Sequence, residues 1–216
     1  MIKAIIALLL LLLLSYLLGS IPFSLVIGKI FYKKDVRNYG SGNLGGTNTG
    51  RVLGKKAGLT VMILDQLKAV IAILLSTIIM KKIDVTFVTL TIYLSSICIV
   101  LGHCYPIFAK FKGGKAVACV FGILFVTNIY IYLITLAIYV VLLKLTKYVS
   151  FGSIVVFFIS GLLAFIPFFR MSPFLQVTLE IYYPILILFL AVFVVIKHRS
   201  NLSRLQNGTE SKIKWM

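Results

Sequence analysis

Long apolar runs dominate this sequence. The first extends from Ala4 to about Ile30. Others cover roughly 57–79, 85–103, 115–129, 130–146, 153–169 and 177–196. A helix needs about 20 mostly apolar residues to cross a hydrocarbon layer of about 30 Å. Of the 216 residues, 61% are hydrophobic and 12% are charged, against about 45–50% apolar and about 25% charged in a soluble domain. That excludes a single soluble core, and it excludes a disordered chain, which is poor in apolar residues. The expectation is an all-α integral membrane protein with seven transmembrane helices, some of them short, forming one polytopic domain over residues 1–216.

The first run does not read as a cleaved leader. It continues past Gly19-Ser20-Ile21-Pro22, lacks a small-residue cleavage pattern, and has only Lys3 as a charged leading region. Pro22 lacks an N–H, so the helix is expected to loosen there. The stretch 115–146 reads as two short crossings, because this puts Lys110–Lys115 and Lys144/Lys147 on one face.

Seven crossings then place 17 of the 22 Lys and Arg residues on one side, in segments 29–56 and 104–115, at Lys144 and Lys147, and in the tail at Lys197, Arg199, Arg204, Lys212 and Lys214. Lys3, Lys81, Lys82 and Arg170 fall on the other, and Lys68 lies inside a span. The positive-inside rule makes the basic side cytoplasmic, with the N-terminus outside and the C-terminus cytoplasmic. Topology therefore accounts for most of the net charge of +17. No basic soluble domain is present to bind nucleic acid. Cys98, Cys104 and Cys119 form no C-x-x-C pair, and the expectation is packing thiols rather than a disulfide framework or a zinc site.

Three polar stretches fall on the expected cytoplasmic face. Tyr39–Arg51 (YGSGNLGGTNTGR) combines five glycines with Ser, Thr and Asn donors and one arginine. Glycine-rich turns can form anion-binding nests, and arginine binds phosphate through two N–H groups. The G-x-G-x-x-G match at Gly40–Gly45 follows no strand, so it fails the context of a dinucleotide fold. Gly102–Lys115 (GHCYPIFAKFKGGK) ends in a glycine pair and a lysine at an expected helix start, where anions are favoured. Lys197–Glu210 (KHRSNLSRLQNGTE) sets His198 and Asn201 three residues apart. Asp65 and Lys68 share the second run; ionisable groups there pair or face a polar cavity. Together the stretches predict a membrane-surface site for two phosphate-bearing ligands.

On GSIPFSLVIGK, SGNLGGTNTGR, DQLKA, GHCYPIFAKFKGGKAVA, FGSI and HRSNLSRLQNGTE, in that order, the chain resembles the acyl-phosphate-dependent glycerol-3-phosphate acyltransferases of bacterial phospholipid synthesis. The family usually reads SGN-I-G-A-T-N-V, where Leu44, Gly46 and Thr49 stand here. After GGK it usually has Gly-Val-Ala-Thr, where Ala116, Val117, Ala118 and Cys119 stand. The resemblance implies transfer of a fatty acyl group from acyl phosphate to the 1-hydroxyl of glycerol 3-phosphate, giving lysophosphatidic acid and phosphate. It implies that Ser41, Arg51, Lys115, Ser153, His198 and Asn201 surround glycerol 3-phosphate. It also implies that Gly42, Asn43, Thr47, His103, Gly113 and Gly114 cradle the donor's phosphate, with Lys115 touching both.

No cofactor, metal or obligatory protein partner is expected. The bilayer of a bacterial inner membrane is the expected surroundings. No acidic residue is expected to accompany His103, Cys104 has no expected activating partner, and neither histidine has an Asp five positions on. The expectation is direct transfer without an acyl-enzyme. The alternative is a membrane transporter for an organic phosphate. Such transporters usually bind at the bilayer midplane between repeats, and no convincing repeat is present.

Overall fold

The computed structural model describes residues 1–213. Lys214, counted in the tail above, lies outside them. The chain divides into two compact units, Met1–Val126 and the residues from Thr127 onward.

The first unit contains α1 (Ile2–Gly19), α2 (Phe23–Tyr32), α3 (Gly46–Leu53), α4 (Lys55–Ile83), α5 (Val88–Cys104) and α6 (Val117–Thr127), the last reaching the boundary. Its helices invert the soluble pattern. On α1, Ile5, Ile6, Leu9, Leu10 and Leu13 are exposed, while Ala4, Leu8, Leu11, Ser15 and Gly19 form the buried stripe. Ser20, Ser24, Ser76, Ser95 and Ser96 are fully buried. In lipid, apolar burial gives helices no reason to associate, so small residues that permit close packing collect at the contacts. Several hydroxyls return their hydrogen bond to their own helix, as in Ser15 Oγ to the Leu11 carbonyl (2.8 Å) and Ser96 Oγ to Ile92 (2.7 Å).

Glycines set two of the crossings. A Cβ on Gly102 of α5 would sit 3.0 Å from Gly19 Cα of α1 and would also strike the Tyr16 carbonyl. A Cβ on Gly58 of α4 would sit 2.6 Å from Gly50 Cα and 2.8 Å from the Gly46 carbonyl, both on α3. Two glycines of the donor-rich stretch are thus packing residues. Pro22 separates α1 from α2 as expected, and the Ile21 carbonyl beside it accepts from Lys68 Nζ at 3.0 Å.

The second unit contains α7 (Ile129–Thr146), α8 (Val149–Leu163), a hairpin of β1 (Met171–Ser172) and β2 (Val177–Thr178), α9 (Tyr182–Lys197) and α10 (Arg199–Gln206). Asn128 caps α7 by accepting from Ile131 N–H (2.9 Å), and its amide donates to the carbonyls of Phe169 and Met171. Thr135 and Ser160 share a hydrogen bond of 2.7 Å between α7 and α8.

Each expected crossing overlaps an apolar helix, and the first overlaps two. Among the described residues, four spans are long and apolar enough to cross by themselves: Ile2–Tyr32, Lys55–Ile83, Val85–Ala109 and Ile129–Thr146. The α9–α10 pair, bent by 62°, is a fifth if taken as one broken span. Helices α6 and α8 are shorter. The expected span 153–169 differs most, since α8 starts at Val149 and ends at Leu163. Pro167 opens a separate 3-10 turn there, and the apolar residues beyond serve the turn and hairpin. Cys104 and Cys119 are buried, Cys98 is half-buried, and none of the three is in a disulfide.

Replacing Gly102 with Ala is expected to cost about 1–3 kcal/mol by overpacking against backbone. Ile6→Ala, on an exposed position, should stay within about 0.5 kcal/mol. Thermal unfolding in detergent reads both.

Candidate active site

In the first unit, Asn48 organises the donor-rich loop. It is 2% exposed. Its Oδ1 accepts from Ser41 N–H at 2.9 Å, and its Nδ2 donates to the carbonyls of Val36 (3.2 Å) and Tyr39 (3.3 Å). Gly40 and Gly42 adopt φ of +60° and +68°, which allows the chain to fold around that side chain. Asn43 Oδ1 accepts from Gly45 N–H at 3.0 Å, and its Nδ2 donates to the Gly113 carbonyl at 3.1 Å. This last bond brings the SGN and GGK segments together, 70 residues apart in sequence. A small core of Leu25, Val36, Leu44 and Ala109 lies beneath. Thr47 lies in the first turn of α3, half-buried, and Arg51 in its last turn, exposed.

The glycine pair closes on His103. Gly114 N–H donates to the His103 carbonyl at 3.0 Å, and a Cβ on Gly114 would run into the imidazole at Nε2. A Cβ on Gly113 would strike the same carbonyl. Lys115, half-buried, follows two residues before α6 begins, as expected.

The N–H groups of Ser41, Gly42, Gly45 and Gly114 are already bonded within the loops. The donors that helix geometry leaves over are those in the first turns of α3 (Gly46–Asn48) and α6 (Val117–Cys119). In this conformation those four N–H groups hold the loops in shape, and the helix starts add further donors beside them.

Against expectation, His103 does have an acidic neighbour. Asp65 Oδ1 lies 3.5 Å from His103 Nδ1 and 2.8 Å from Lys68 Nζ, with all three side chains buried. A separation of 38 residues across three elements concealed it. The only signal in the sequence was that two ionisable groups sat within an apolar run.

In the second unit, His198 stands at the bend between α9 and α10, 3% exposed, with Nδ1 2.8 Å from the Val194 carbonyl. A carbonyl accepts only, so Nδ1 carries the proton. Asn201 N–H donates to the His198 carbonyl at 2.8 Å. Asn201 Nδ2 donates to Glu210 Oε1 at 2.6 Å, joined by Ser150 Oγ at 2.9 Å, while Arg204 Nε meets Oε2 at 2.8 Å. Gly208, at φ +68°, turns the chain back so that Glu210 reaches these donors. Ser153 is fully buried on α8 and donates to the Val149 carbonyl at 2.7 Å. Sequence reading placed Glu210 in the stretch but gave it no role, because its partners become visible only when α10 folds back.

The glycerol-3-phosphate acyltransferase family profile matches residues 9–208, across both units. A glycerol-3-phosphate acyltransferase of Listeria monocytogenes is 44% identical over 209 residues, 97% of this chain and 98% of that protein. One from Geobacillus kaustophilus is 42% identical over 206 residues, covering 95% and 96%. The chain belongs to the glycerol-3-phosphate acyltransferase family. Among solved structures, it is similar to PlsY (YgiH), an integral membrane glycerol 3-phosphate acyltransferase, in its glycerol 3-phosphate form. The TM-score is 0.83 and the identity 32%, over 96% of each chain. The lysophosphatidic acid form of PlsY gives 0.80 and 31%.

The departure from the acyltransferase pattern at Ala116 has a structural consequence. Ala116 adopts φ +69°, a conformation that suits glycine. Left-handed backbone costs an L-residue about 1–2 kcal/mol, while removing one buried methyl costs about 0.8 kcal/mol. Ala116→Gly is therefore expected to raise stability slightly. Ala116→Val should lower it sharply, since branching at Cβ makes positive φ worse. Thermal unfolding of both variants checks the order.

Burial pushes the Glu210 carboxyl up, but the bonds from Asn201, Arg204 and Ser150 outweigh it and hold the group below its ordinary value of 4.5. Its contribution to stability is thus complete above about 4.5 and is lost as pH falls through the lowered folded value. Glu210→Gln is expected to be less stable at neutral pH and to show a shallower acid loss, read by unfolding between pH 3 and 7, about the range a carboxylate covers.

Proposed function

We propose that this acyltransferase uses fatty acyl phosphate as donor and acylates the 1-hydroxyl of glycerol 3-phosphate, giving lysophosphatidic acid and phosphate. The observation that carries the reading is the bridge from Asn43 to Gly113. It joins two loops that lead to helix starts, one of them behind Lys115. Two helix N-termini and a lysine suit a phosphate monoester. In this reading Gly42, Asn43, Thr47, His103, Gly113 and Gly114 hold the donor's phosphate. Ser41, Arg51, Lys115, Ser153, His198 and Asn201 bind glycerol 3-phosphate. The two units together make up one acyltransferase domain.

Acyl phosphate is a mixed anhydride with a good leaving group, so the protein's task is to position and to neutralise charge. Holding two reactants in contact can lower a barrier by about 7–11 kcal/mol. The glycerol hydroxyl oxygen forms the ester bond to the acyl carbon, and the bond from that carbon to the phosphate oxygen breaks. Lys115, Arg51 and backbone N–H groups stabilise the charge that builds on the carbonyl oxygen and the departing phosphate. The hydroxyl proton goes to a substrate phosphate oxygen. No acyl-enzyme forms: Asp65 faces the His103 ring at Nδ1 and not a nucleophile. His198 orients the glycerol 3-phosphate phosphate.

The finer architecture belongs to the same reading. Seven helices cross the membrane, with α6 and α8 as short crossings. The N-terminus is outside, and the C-terminus and site are cytoplasmic. The positive-inside distribution supports the orientation, and the bacterial origin of the relatives supports an inner-membrane location. The acyl tail of the donor extends into the bilayer.

The test is purified protein in lipid with palmitoyl phosphate and glycerol 3-phosphate. Phosphate and lysophosphatidic acid are expected in equal amounts, with no product from acyl-CoA. His198→Gln is expected to keep a near-normal rate. A loss of about 10²–10⁴-fold would instead make His198 the general base.

A further inference from the structure

Behind Gly114, one carboxylate oxygen serves two cations or donors in a dry interior. Asp65 is 2% exposed, Lys68 4% and His103 6%. Lys68 Nζ sits 2.8 Å from Asp65 Oδ1 and donates to the Ile21 carbonyl at 3.0 Å, at the break between α1 and α2. His103 Nδ1 sits 3.5 Å from the same Oδ1. The other edge of the ring, at Nε2, fills the space where a side chain on Gly114 would be. A continuous chain of polar groups therefore runs from Ile21 through Lys68, Asp65 and His103 to the glycine pair.

Pairing alone does not explain why Asp65 and Lys68 are there. A buried ion pair is costly, and apolar residues of similar volume often replace one with no loss of stability. Two apolar residues cannot, however, orient an imidazole. A carboxylate facing Nδ1 keeps the proton on that nitrogen, and this fixes both the ring's rotation and the nitrogen presented beyond it. In metal sites, removing the carboxylate behind a working histidine costs about 10–100-fold, and the same physics holds for a histidine that binds phosphate.

We propose that Asp65 is a positioning residue that acts through His103, and that Lys68 holds Asp65 in place by anchoring to the Ile21 carbonyl. This rests on the reading above that His103 binds the donor's phosphate. Asp65 orients the ring, the ring supports Gly114, and the glycine pair keeps the shape in which it meets acyl phosphate. Glycerol 3-phosphate binding does not depend on this chain of contacts.

The chain has only two histidines, so ¹⁵N-histidine labelling reports each ring, and His198→Gln assigns the signals. In the wild type, His103 Nδ1 is expected to be protonated. A spectrum with the proton on Nε2 alone would overturn the proposal without any variant. Kinetics supply the second test. The double variant Asp65→Asn with Lys68→Met removes both charges. It should unfold near the wild-type temperature, raise the KM for palmitoyl phosphate about 10-fold or more, and move the KM for glycerol 3-phosphate less than about twofold. Adding His103→Ala should raise the palmitoyl phosphate KM no further, since the residues act as one unit. If His103→Ala alone raises that KM and the double variant does not, the positioning role fails while the phosphate-binding role of His103 stands. If His103→Ala alone leaves it unchanged, both fail. If the double variant does not fold, the wild-type spectrum decides.

Discussion

Lipid as solvent is the constraint on which the rest of the structure depends. Apolar burial does not draw these helices together, so they meet where backbones can approach and hydroxyls can be satisfied. Gly19 against Gly102, and Gly46 and Gly50 against Gly58, are such places. The first contact has a direct bearing on the site, because Gly102 precedes His103. The close crossing of α1 and α5 fixes where the imidazole can lie, and the break after Gly19 exposes the carbonyl that Lys68 needs. The second contact fixes α3, whose first turn follows the SGN loop.

The loops then hold their shape by spending polar groups internally. Asn48 uses both ends of its amide, on Ser41 N–H and on two carbonyls, and Asn43 does the same between Gly45 and Gly113. The buried amide of Asn48 and the half-buried one of Asn43 are both hydrogen-bonded, so the loops gain rigidity. In the proposed reading the helix starts, Lys115 and Arg51 add their donors to this rigid frame. Glu210 has a comparable role in the second unit, where one carboxylate gathers Ser150, Asn201 and Arg204 and sets the course of the chain after α10.

Residue periodicity and charge made much of this legible in the sequence. Apolar runs located the helices, Pro22 located the first break, and the glycine pair before Lys115 located the start of α6. Family resemblance pointed to acyl transfer. Other features were beyond reach because they depend on through-space distance. The Asp65–His103 contact joins different helices, and the Asn201–Glu210 contact needs a reversal at Gly208. Composition cannot distinguish a glycine that admits an anion from one that admits another helix, and Gly46 and Gly50 are of the second kind. The end of α8 was misplaced because hydropathy does not separate a lipid-facing helix from an apolar turn and hairpin.

With acyl phosphate as the proposed donor, transfer from a mixed anhydride would explain why so few charged side chains suffice. The donor already carries its leaving group, so the protein needs neither a nucleophile nor the activating partners that a nucleophile requires. It needs fixed positive and dipolar groups around two phosphates, and a way to keep them fixed when lipid offers no compensating solvation. An ammonium group buried alone at such a depth would be prohibitive. Lys68 is tolerated because Asp65 and the Ile21 carbonyl satisfy it. The Lys68–Asp65 pair neutralises itself, so it adds no net charge beside Lys115 and Arg51, the proposed phosphate ligands. Its value lies in direction rather than charge, since it orients a ring against the backbone on which the donor's phosphate is proposed to rest.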